Sequence, residues 1–212
     1  MKQRTRGSSF PPFLRGGAFL VLLALLVLVS TWTFALSAQA PPSDGPTYAT
    51  GTSNLIRPAD YREWIFVGSS IGLNYPVPGA PPGPQMFHNV FVNPTSYRSF
   101  LRTGKWPDKT VLILEMRGAG RETTANRDGR FETGLMAFEA NVKDSRFPGG
   151  WGFFVFGDND KSVAPLSGDP VKRCLDCHSA HTAVEMTFVQ FYPTLFEVAK
   201  KMGTVKKDYT DP

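Results

Sequence analysis

Two thiols and an imidazole stand together at Cys174, Cys177 and His178, within the run Lys-Arg-Cys-Leu-Asp-Cys-His-Ser-Ala-His from Lys172 to His181. This run holds both cysteines of the chain and two of its three histidines. Three chemistries use such residues. Two cysteines separated by two residues can cycle between dithiol and disulfide. Two thiolates with His178 and His181 could ligate zinc, although these ligands crowd into eight residues and the second, spaced pair of a structural zinc site is missing. Finally, each thiol can bond a vinyl group of a haem while the adjacent histidine reaches the iron from one face. This last chemistry, one covalently bound haem c, gives Cys174, Cys177 and His178 each a role without requiring a further protein ligand.

With His178 as the proximal iron ligand, the other axial position sets the function. A methionine or histidine there closes the iron into an electron carrier, whereas an empty position receives small molecules. The candidates are Met86, His88, Met116, Met136, His181 and Met186. His181 follows His178 by three residues, on the same local turn, and is poorly placed to cross to the opposite face. Each methionine has the competing role of filling gaps in a core.

The rest of the chain must carry and position this group. Residues 2 to 15 contain Lys2, Arg4, Arg6 and Arg15 with no acid, and the 19 residues from Ala18 to Leu36 are uncharged. Ala38-Gln39-Ala40 then matches a small-residue cleavage site, so residues 1–40 read as a signal peptide or a retained N-terminal membrane anchor of an exported, periplasmic protein. Residues 41–53, rich in Pro, Ser, Thr and Gly, read as a flexible linker, and 54–212 as the domain. Of the chain's net charge of +5, the leader carries +4. From residue 41 onward 19 basic residues face 18 acidic ones, a net charge of +1, which excludes a nucleic-acid footprint.

Within the domain, Arg57 to Trp64 reads as a short helix, and Pro76 to Pro84 as a Pro/Gly loop. Strand character appears at Phe87–Asn93, Thr110–Met116, Leu135–Val142 and Trp151–Phe156. Between the first two lies a helix opened by Pro94 and closed by Gly104. Beyond Pro170 the strand signals stop, and Met186 to Gly203 reads as an amphipathic terminal helix interrupted at Pro193. Short connections favour antiparallel neighbours. The fold class is α+β: a mainly antiparallel β-sheet with a few helices and the haem motif near the C-terminus.

The segments ADYREWIFVGSS, VFVNPTSYRSFLRTGKWPDKTVLILE, LMAFEANVKDSRFPGGWGFFVF and CLDCHSAHTAVEMTFVQFYPTL, in that order, resemble the cytochrome P-460 family with its relative cytochrome c′-beta. The resemblance implies a mainly antiparallel β fold, a homodimer, and a five-coordinate haem. Cytochrome P-460 members oxidise hydroxylamine; cytochrome c′-beta members bind nitric oxide and other diatomic gases. The family's enzymes bond a lysine to the haem edge from the strand position before an acid, and here that position is Leu114, before Glu115. Thr110, Leu112, Leu114 and Met116 share one strand face, so Leu114 brings hydrocarbon to the haem edge. Lys105 and Lys109 lie in the preceding turn and read as solvated.

Where the family's enzymes place a distal arginine, this chain has His88, on one face with Val90 and Val92, as a distal hydrogen-bond donor or sixth ligand. Glu139 matches the family's pocket glutamate, a proton acceptor; its expected face holds Leu135 and Ala137, apolar neighbours that raise a carboxyl pKa. The Phe-rich run Trp151–Phe156 reads as core. The resulting expectation is an exported c-type cytochrome with an open distal site for nitric oxide or related nitrogen ligands, served by a redox partner protein. The alternatives are a hydroxylamine-oxidising enzyme using Glu139 and a six-coordinate carrier closed by His88.

Overall fold

The computed structural model describes residues 44–73, 83–121 and 128–210, which belong to one compact unit running from Asp44. The leader, 1–40, and most of the Pro76–Pro84 loop lie outside the described residues.

The strands are β1 (Leu55–Ile56), β2 (Ile65–Ile71), β3 (Met86–Val92), β4 (Thr110–Gly120), β5 (Phe131–Lys143), β6 (Trp151–Phe156) and β7 (Ser162–Val163). The helices are α1 (Pro94–Thr103), α2 (Gly168–His181) and α3 (Pro193–Met202). Strands β2 to β6 form a five-stranded antiparallel sheet in sequence order, and β1 pairs with β7 in a separate two-stranded sheet. The class is therefore α+β, as the sequence implies.

Strand periodicity divides the sheet into two faces with different cores. Val90, Val92, Leu112, Trp151 and Phe153 point to the helical side and pack with Phe100 of α1 and with Leu195 and Ala199 of α3. Val111, Ile113, Phe138, Ala140, Phe154 and Phe156 point the other way and pack with Leu55, Tyr61, Trp64 and Phe147. The Trp151–Phe156 run serves both cores, which is why it is apolar on both faces.

Helix α1 starts at Pro94 and ends at Gly104, whose left-handed backbone (φ 66°) lets its N–H return to the Phe100 carbonyl at 2.7 Å. Asn93 extends the β3–β4 ladder by accepting the Val111 N–H on its side-chain oxygen at 2.8 Å.

Several elements differ from expectation. The helix expected at Arg57–Trp64 is a single 3-10 turn, Tyr61–Glu63. Strand β2 escapes propensity because its centre is Gly-Ser-Ser, residues that strands disfavour. Gly68 is needed there: a Cβ would lie 3.0 Å from the Phe191 carbonyl and 3.2 Å from the Tyr192 ring. The expected terminal helix starts only at Pro193, preceded by a 3-10 turn, Val189–Phe191. Residues 44–53, expected as linker, are fastened to the domain. Asp44 accepts the Thr95 N–H at 2.7 Å, and Tyr48 bridges to Leu55 and donates to Asp144 at 2.9 Å.

The face expected for Glu139 needs one correction. Pairing of β5 with β4 slips between Met116 and Arg117, so that Met116 faces Ala137 but Arg117 faces Leu135. This bulge turns Met136 outward, 58% exposed, and moves Leu135 to the core of the opposite face. Ala137 keeps the expected register, opposite Met116.

Candidate functional site

Cys174, Cys177 and His178 fall on α2 at relative positions i, i+3 and i+4, which share one helix face. Cys174 and His178 line a cavity of about 410 Å³ between α2, the helical side of the sheet and the segment leading to Phe191. The cavity size lies within the ~300–1,000 Å³ of cofactor pockets.

Three rows of paired residues cross the sheet beneath the cavity. One runs Ser70, His88, Met116; the next Gly68, Val90, Leu114, Glu139, Val155; the third Val92, Leu112, Asn141, Phe153. Leu114 therefore sits between Val90 and Glu139 and brings an aliphatic side chain to the cavity. Lys105 is exposed, and Lys109 is drawn to Asp144 at 2.6 Å; neither lines the cavity. Among the sixth-ligand candidates, Met86, His88 and Met116 line the cavity, whereas Met136, His181 and Met186 do not.

The His178 ring is oriented from three sides. Phe153 and Phe188 meet it edge to face at 5.0 and 4.8 Å, and its Nδ1–H donates to the Met186 carbonyl at 2.7 Å. With Nδ1 occupied, Nε2 is the nitrogen left for a metal. Burial holds the ring's pKa below the ordinary histidine value, against the Met186 bond, so the ring is neutral, as a metal ligand must be. Burial also pushes both thiols up, Cys174 further raised by Glu139. Redox dithiols have the opposite bias, a depressed thiol pKa. The zinc alternative fares no better. Among the described residues no group of three or more His, Cys, Asp or Glu side chains gathers as a metal site requires.

Across the cavity, burial pushes the Glu139 carboxyl pKa up and the His88 imidazole pKa down. His88 Nδ1 is buried without a hydrogen-bond partner among the described residues. A buried polar atom of this kind invites a ligand or cofactor contact.

The two free thiols on one face of α2, the imidazole with Nε2 left over, and the apolar sheet floor fit a haem. Other cavity residues escape sequence reasoning. Phe188 and Phe191, stacked at 5.6 Å, and Asn141 also line it. The two phenylalanines read as helical in sequence, and only the break at Pro193 hints otherwise. A family model described as Cytochrome P460 matches residues 58–189, more than half of the chain, from the turn before β2 through α2. No curated protein matches it.

Proposed function

Because the chain belongs to the cytochrome P460 family and thus to the haem-binding cytochromes, we propose that it is a c-type member whose distal site receives nitric oxide or a related small nitrogen ligand. Cys174 and Cys177 hold the haem covalently, and His178 Nε2 is the proximal iron ligand. When bound, the haem supplies an iron that takes diatomic ligands and exchanges single electrons.

The observation that carries this reading is Leu114 at the centre of the sheet floor, flanked by Val90 and Glu139. Its hydrocarbon excludes water and cannot bond the macrocycle, which favours an ordinary haem c over the cross-linked cofactor of the family's enzymes. His88, neutral and with a spare buried nitrogen, is placed to hydrogen-bond a distal ligand. A second reading, hydroxylamine oxidation, is favoured by Glu139, whose raised pKa suits proton acceptance near neutrality. Export to the periplasm, soluble or tethered by residues 1–40, assembly as a homodimer and service by a redox protein belong to the same proposal.

The test is the absorption spectrum of the purified holoprotein, ferric and ferrous, with and without nitric oxide and hydroxylamine, after acid-acetone extraction has been tried. The expected result is haem retained on the chain, an unshifted haem c spectrum, a five-coordinate iron and tight nitric oxide binding. A colourless chain after extraction overturns the covalent attachment. A strongly red-shifted Soret band, with a Lys105–Arg117 peptide bonded to haem, overturns the assignment of Leu114. A low-spin iron that becomes high-spin on His88→Ala replaces the open site with a closed carrier.

A further inference from the structure

The hydrogen bond that helps orient His178 goes to one backbone carbonyl, and most of what fixes that carbonyl lies outside the cavity. Met186 sits at the tip of a tight turn in which Val184 and Thr187 pair and the Thr187 N–H donates to the Val184 carbonyl at 3.0 Å. Before it, Glu185 adopts a left-handed backbone (φ 51°), unfavourable for a residue bearing a Cβ. Its carboxylate is held from two directions: one oxygen accepts from Lys143 Nζ at 2.6 Å, the other from the Trp106 N–H at 3.3 Å. Lys143 Nζ also donates to the Trp106 carbonyl at 2.7 Å and lies 6.0 Å from the Trp151 ring centre. After Met186, Thr187 Oγ1 accepts from Trp106 Nε1 at 2.8 Å and donates to the Val184 carbonyl at 2.7 Å. Both neighbours of Met186 are thereby fastened to the turn before β4 and to the last residue of β5.

We infer that Lys143 and Glu185 are positioning residues for the axial imidazole, their ion pair holding the Met186 carbonyl against His178 Nδ1 and so setting the ring's tautomer, orientation and donor strength. The inference rests on the reading that His178 ligates haem iron. An acceptor on Nδ1–H makes Nε2 more basic and favours the ferric over the ferrous iron. The side chains of Lys143 and Glu185 are only 26% and 24% exposed, so the pair is less screened than an open surface bridge. Lys143 lies on the strand face that carries Glu139 and Asn141, which ties the orientation of the proximal ligand to the strand that lines the cavity.

Lys143→Met and Glu185→Gly holoproteins test this, the second because glycine suits the left-handed position and spares the fold. Thermal unfolding, the midpoint potential and the iron–histidine stretch in the ferrous resonance Raman spectrum are measured together. In both variants the ferric-to-ferrous ratio at a fixed ambient potential falls on the order of 10-fold, an upward midpoint shift of about 59 mV. The stretch moves to lower frequency, and the double variant shifts no further than the larger single one. Unchanged potential and stretch in folded variants overturn the positioning role and leave the function intact. A wild-type iron without imidazole ligation overturns the His178 reading and this inference with it.

Discussion

Glu139 is the only carboxylate lining the cavity among the described residues, and burial raises its pKa. A base with a raised pKa accepts a proton only above that value, so the acid limb of any hydroxylamine turnover should lie above the ordinary carboxylate range. Glu139→Gln should slow such turnover by roughly 10²-fold, the scale for losing a general base, while nitric oxide affinity stays within a few-fold. Steady-state rates across pH and a nitric oxide titration check both halves. Equal turnover in the two proteins would leave Glu139 as a strand residue only. The face shared by Leu112, Leu114 and Met116 is legible from alternation alone, but the tautomer of His178 is not. It depends on a carbonyl eight residues away, which carries no side-chain signature.

Asp144, one residue beyond β5, ties several elements together. It is fully buried; Lys109 Nζ meets it at 2.6 Å, the Arg146 Nε and N–H at 3.0 Å each, and the Tyr48 hydroxyl at 2.9 Å. Burial alone would raise its carboxyl, but these donors outweigh burial and lower its pKa from 3.8 to about 2. A depressed carboxyl contributes stability that is fully present above pH 3.8 and is lost as the pH falls through about 2. With Lys109 and Arg146 partly exposed, that contribution is about 1–2 kcal/mol. Urea unfolding of wild type and Asp144→Asn should differ at pH 5 and converge near pH 2. A constant gap would show that packing, not ionisation, is what Asp144 supplies. Glu115 makes a similar buried centre with Tyr61, Arg62 and Arg117. Neither centre is visible in the sequence, because beside a near neighbour, Arg146 or Arg117, each draws on partners tens of residues away.

The central sheet separates a core that supplies much of the cavity wall from one that reaches the cavity only at Ile113 and Phe154. Haem would touch the first core directly, and the second is closed by the segment from Tyr48 to Trp64 and by Phe147. A Cys174→Ala/Cys177→Ala protein prepared without haem should therefore lose hydrogen-exchange protection in α2 and the 182–192 segment, whose partners line the cavity, while β4 and β5 stay protected. Protection lost evenly over the whole sheet would mean that the two cores fold only together.

The sequence by itself determined the grouping of Cys174, Cys177 and His178, the apolar residue at Leu114, the α+β class and the centres of four strands. All of these follow from residue type, short spacing and alternation, which act locally. Tertiary structure decided the rest. Gly68 lies in a strand because the Phe191–Tyr192 backbone must pass close above it. Leu135 left the face of Glu139 because a bulge in β5 reset its register. Met86, His88 and Met116 were separated from the other ligand candidates by the path of the sheet under the cavity. The grip of Lys143 on Glu185 spans 42 residues, a distance over which no periodicity carries information, so only the folded chain brings it to His178.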